Sequence, residues 1–196
     1  MRAAAAVLLA CALVAGSASA TGAGLIAGVF EPPRVAPELA LQGSDGKDLR
    51  LDRYRGRIVV LGFGFTSCPD VCPTTLAALA GARKKLGADA AGVQVLYVTV
   101  DPKRDDAERL RTYLERFDPT FVGGTGTPEE LAAARESYGV AVGEQPGRSF
   151  SHSSFTYLID GEGKIRALMP YGHSSEDYAH DLRILLHGEP AAAASR

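Results

Sequence analysis

Cys68 and Cys72 stand four residues apart in Cys68-Pro-Asp-Val-Cys72-Pro73, directly after the apolar run Ile58 to Phe65. Two thiols at that spacing can close a disulfide, give two thiolates to a soft metal ion, or do both in turn. The third cysteine, Cys11, falls in an N-terminal leader, so in the mature domain Cys68 and Cys72 must serve each other or a shared ligand. A staple across so short a loop constrains the unfolded chain little, which weighs against a purely structural disulfide. The flanking Pro69 and Pro73 stiffen the loop and withhold backbone donors.

The elements around this loop must hold both sulfurs. Ile58 to Phe65 is apolar throughout, as in a central strand covered on both faces. Pro73 suits the first turn of a helix, and Leu76, Leu79, Ala80 and Leu86 carry its buried stripe. Cys68 therefore falls just before a helix N-terminus and Cys72 about one turn later, where unpaired amides and the helix dipole favour thiolates. Val93 to Val100 is a second buried strand, Asp105 to Phe117 an amphipathic helix, Phe121-Val122 a short strand, and Pro128 to Tyr138 a helix. A hairpin is expected around Gly43-Ser-Asp-Gly46, and a second from Phe155–Ile159, through Asp160-Gly-Glu-Gly163, to Ile165–Met169. Ser175 to His187 is a closing helix, and Glu31 to Pro37 an extended lead-in. The order predicts an α/β, thioredoxin-like fold: a central mixed sheet flanked by helices, with an added N-terminal β-hairpin.

Zinc would want four ligands, whereas two sulfurs and one imidazole form a three-coordinate set better suited to Cu(I). Of the four histidines, His152 lies just ahead of the Phe155–Ile159 strand, at the loop that faces the cysteine turn in a thioredoxin-like fold. His173, His180 and His187 sit in or near the last helix and read as a solvated polar face. Thioredoxin-type reductants carry a docking cis-proline at the loop where His152 stands. Here Pro146 is six residues back, which argues against a general dithiol oxidoreductase. A peroxidase needs a different cysteine pattern.

A net charge of −2 with no basic run gives no electrostatic case for nucleic acid. Residues 1–20 read as an export signal or part of an N-terminal anchor: Arg2 is their lone charge, and Ala18-Ser-Ala20 offers a small-residue cleavage pattern. The uncharged run Ala3 to Phe30 is about long enough to span a bilayer. Residues 21–34 follow as a linker, 35–188 as one domain, and 189–196 as a disordered alanine-rich tail. Such a domain faces an oxidising compartment, on the periplasmic side of the inner membrane.

Gly64-Phe-Thr-Ser-Cys-Pro-Asp-Val-Cys-Pro-Thr-Thr-Leu76 resembles the signature loop of the Sco/SenC copper proteins. Val98-Thr-Val-Asp-Pro-Lys-Arg-Asp105, Phe121-Val-Gly-Gly-Thr-Gly126 and His152-Ser-Ser-Phe-Thr-Tyr-Leu-Ile-Asp160 resemble later blocks of that family, in order. The resemblance implies a metallochaperone, not an enzyme, that binds Cu(I) and also Cu(II) through Cys68, Cys72 and His152. Its implied partners are the copper-bearing subunit of cytochrome c oxidase, whose binuclear centre it helps to assemble, and other periplasmic copper carriers. The alternative is a thiol–disulfide reductase, with Cys68 and Cys72 as catalytic residues, that keeps the oxidase cysteines reduced. The family usually has aspartate directly before the histidine, where this chain has Ser151. Asp70 and Asp101 are the acids left nearby, readable as a turn residue and a strand-end cap.

Overall fold

The structure is a computed structural model that describes residues 24–145, 148–152 and 154–188, with the side chains of 144–153 outside that description. The leader and the C-terminal tail read from the sequence lie outside the described residues. Eight strands form one mixed sheet around two central ones, β4 (Ile58–Gly64) and β5 (Val93–Thr99), in which every residue is buried. They run parallel and in register from Ile58 beside Val93 to Gly64 beside Thr99. Runs of Val, Leu and Ile buried on both faces belong at such a position.

On one flank β5 pairs in parallel with β6 (Val122–Thr125), which pairs antiparallel with the hairpin of β2 (Leu41–Gly43) and β3 (Asp48–Leu49). On the other flank β4 pairs antiparallel with β9 (Phe155–Ile159), then β10 (Lys164–Pro170), then β1 (Gly28–Val35). The segment read as an extended lead-in is thus an edge strand. Pro32 and Pro33 cannot donate to a ladder, and the register shifts between Val29 and Arg34 to bypass them. Its entry is pinned by the buried Asp181, whose carboxylate accepts the amide N–H groups of Ile26 and Ala27 at 2.8 and 2.9 Å.

Four α-helices flank the sheet among the described residues. α1 (Val71–Leu86) packs against α4 (Ser175–His187), and α2 (Ala107–Leu114) lies on β6. α3 (Pro128–Ser137) opens on a capping box between Thr127 and Glu130, with Pro128 in its first turn. α2 is shorter than the amphipathic pattern predicts. Asp106 caps it by accepting the Arg109 amide at 2.8 Å, so Asp105 stays outside the helix. A separate two-stranded ribbon, β7 (Val142–Gln145) with β8 (Arg148–His152), precedes β9 and was not expected from the sequence.

Candidate metal centre

β4 ends at Gly64, and the chain turns through Phe65 to Asp70 into α1. Asp70 is the N-cap residue, but its side chain makes no capping bond. The cap is instead a sulfur: Cys68 Sγ accepts the backbone N–H of Cys72 at 3.4 Å. Cys68 is half-buried and Cys72 is 3% exposed, both as thiols with no disulfide between them. Burial acts on Cys72, whose thiol is pushed up to about 12, first by desolvation and then by the neighbouring Cys68 sulfur. The Tyr97 hydroxyl and the Phe65 backbone pull the other way without reversing this.

The loop is anchored from beneath by Asp105, which is fully buried. Its carboxylate accepts the Thr66 amide at 2.9 Å, the Thr66 hydroxyl at 2.6 Å and the Thr99 hydroxyl at 2.8 Å. Arg109 stands 3.5 Å away as counter-charge and donates to the Thr66 hydroxyl at 2.7 Å. The Asp105 carbonyl accepts the Thr125 hydroxyl at 2.8 Å. One carboxylate thus fastens the cysteine loop to the end of β5 and the start of α2, while its own backbone is held by β6. Asp101 is the strand-end residue read from the sequence: its carbonyl accepts the Arg104 and Asp105 amides at 3.1 and 3.0 Å and closes the turn.

Cys72 also lines a crevice with Val71, Thr75, Ser154, Phe155 and Tyr171. Because β9 runs antiparallel to β4, with Thr156 beside Gly62, the chain entering β9 arrives at the cysteine end of the sheet. His152 is two residues before Ser154 and closes β8, its backbone paired with Val142; its ring lies outside the described side chains. The other three histidines are engaged elsewhere. His173 Nδ1 is 3.2 Å from Asp177, His180 Nε2 is 3.4 Å from the Gly24 carbonyl, and His187 Nε2 is 3.0 Å from Asp89.

A paired-thiol turn between a buried strand and a helix, fastened to an Asp-Pro segment, is a family architecture, and the SCO1/SenC family model matches residues 30–187. The chain belongs to the SCO1/SenC family. It is similar to an SCO2-like protein of Rickettsia conorii, 33% identical over 137 residues, or 67% of each chain. Copper-bound ScoI of Bradyrhizobium japonicum matches with a TM-score of 0.71 at 31% identity, over 78% of this chain and 99% of that one. Apo Sco1 of Thermus thermophilus matches with a TM-score of 0.75 at 34% identity, over 85% and 99%. The thioredoxin-like mixed sheet read from the element order is the fold of these Sco structures.

Two features of this SCO1/SenC site escaped sequence reading. Asp105 reads from the sequence as a helix start, and Tyr97 only as one residue of the buried Val93 to Val100 strand. The available signal was chemical: a phenol in a strand buried on both faces must place its hydroxyl somewhere. The asymmetry of the two thiols makes a direct prediction. In a brief iodoacetamide pulse on metal-free, reduced protein at neutral pH, Cys68 is expected to be alkylated at least roughly tenfold faster than Cys72, because only a thiolate attacks. Peptide mass spectrometry reads the order, and equal rates would contradict the burial of Cys72.

Proposed function

We propose that this SCO1/SenC chain is a copper carrier that holds Cu(I) with Cys68, Cys72 and His152. It would deliver the ion to the copper-bearing subunit of cytochrome c oxidase, on the periplasmic side of the membrane. The reading rests on one observation: two thiols meet at the N-terminal end of α1, and the inner one lines the crevice reached by the chain just after His152. A buried, sulfur-rich donor set suits a soft ion, and a relative with this fold was solved with copper bound. Cys68 and Cys72 supply thiolates, so loading displaces protons from the pair, that of the high-lying Cys72 thiol included. The Asp105 tether keeps the turn in place as its charge changes.

The test is titration of reduced protein with Cu(I) in competition with bicinchoninate. Wild type is expected to take one copper per chain. His152→Ala keeps both sulfurs and should bind at least roughly 10-fold more weakly, since losing a ligand costs no less than losing a group that supports one. Wild type that takes up no copper, or a His152→Ala affinity equal to wild type, would overturn the assignment.

The exposure asymmetry also favours a second reading, a thiol–disulfide reductase. The Cys68 thiolate would attack a partner disulfide and release one partner thiol. Cys72, once deprotonated, would then displace the second, leaving a Cys68–Cys72 disulfide. Insulin reduction by metal-free protein, undiminished in His152→Ala, would favour this role over copper delivery.

A further inference from the structure

Behind the inner cysteine stands the buried hydroxyl of Tyr97. Tyr97 is 4% exposed, in the middle of β5, and its Oη meets no hydrogen-bond partner of ordinary geometry among the described residues. The hydroxyl sits in a notch made by Gly64. A Cβ placed on Gly64 would stand 2.0 Å from Tyr97 Oη and 2.8 Å from Cys72 Sγ, so oxygen and sulfur share the space that the missing side chain leaves open. The Tyr97 ring is held there by Tyr113 at 6.4 Å between centroids, and Tyr113 by Phe117 at 5.3 Å.

A neutral thiol sulfur is a weak acceptor, and with Cys72 in that form the contact with Tyr97 Oη is at most a weak one. A thiolate sulfur is a strong one. We propose that Tyr97 is a positioning residue of the copper site, whose hydroxyl donates to the Cys72 sulfur when that sulfur becomes a metal-bound thiolate. The hydroxyl is then a stored donor, poorly matched in the metal-free protein and well matched in the loaded one. This inference deepens the copper reading above and rests on it.

Tyr97→Phe tests it, because the variant removes one oxygen and leaves the ring packing intact. In bicinchoninate competition, Cu(I) affinity is expected to fall roughly tenfold, the low end of the range for outer hydrogen bonds to metal ligands. In the Cu(II) form, the sulfur-to-copper charge-transfer band is expected to move to lower energy, because loss of the donor raises the sulfur lone pairs. The melting temperature of metal-free protein should stay level or rise, since a buried unmatched hydroxyl has gone. Tyr54→Phe removes another buried, unmatched hydroxyl, one between β3 and β4 and away from the cysteine turn, and should leave affinity within about twofold. Unchanged affinity and an unmoved band in Tyr97→Phe would overturn the inference alone. So would a lowered metal-free melting temperature with wild-type copper affinity, or equal losses in the two tyrosine variants. Wild type that takes up no copper would overturn the copper reading and this inference together.

Discussion

Cys68→Ala and Cys72→Ala are each expected to abolish stoichiometric Cu(I) binding in bicinchoninate competition. In the proposed three-ligand site, removing either sulfur leaves one thiolate and one imidazole. The lost sulfur has no substitute: no other cysteine lies among the described residues, and the acid beside the pair, Asp70, offers a hard oxygen that suits Cu(I) poorly. The two variants part in their effect on the fold. Cys68 is half-buried and replaceable at little cost, whereas Cys72 packs with the core at 3% exposure, and its truncation should cost about 1 kcal/mol. Cys72→Ser, which keeps volume at that position, should also fail to bind. Loss of copper with the melting transition retained assigns the sulfurs as ligands. One tightly held copper per chain in either alanine variant would sink the site.

What the sequence revealed about this site, and what it hid, divides along the range of the interactions. The apolar run Ile58 to Gly64 is a buried parallel strand because a stretch of that composition has nowhere else to go. The closing helix begins and ends where the sequence placed it, Ser175 to His187, because Ser174 and Asp177 form a local capping box. Such signals lie within a few residues of their effect. Asp105 is the opposite case: its partners Thr66 and Thr99 come from two other elements, and nothing local distinguishes a buried carboxylate from a helix cap. The β1 edge was concealed by its prolines, which forbid an interior strand but are harmless where a register shift spares the ladder. The Tyr97 hydroxyl was invisible for a further reason. Its meaning lies in Gly64, on the neighbouring strand, whose bare Cα opens the notch between oxygen and sulfur.

Asp105→Ala is expected to destabilise the metal-free domain by about 2–5 kcal/mol in urea or thermal unfolding, from two stranded donors at about 1–3 kcal/mol each. The carboxylate is fully buried and accepts three hydrogen bonds, so its loss strands the part-buried Thr66 amide and the fully buried Thr99 hydroxyl. Arg109, half exposed, loses its partner but keeps its water, so most of the penalty comes from the stranded donors. Asp105→Asn retains one acceptor oxygen and should lose less. The same carboxylate holds the chain two residues ahead of Cys68, so the variant should also lower Cu(I) affinity, and stability and site geometry must be separated. Thr66→Val does so: it removes the 2.6 Å hydroxyl bond and the Arg109 bond but leaves Thr99 and the ion pair on Asp105. It should cost only about 1–2 kcal/mol of stability and still weaken copper binding several-fold, because the loop is free to tilt. A Thr66→Val protein with wild-type affinity would make Asp105 a fold residue only. An Asp105→Ala protein within about 0.5 kcal/mol of wild type, the range of ordinary surface substitutions, would contradict the network itself.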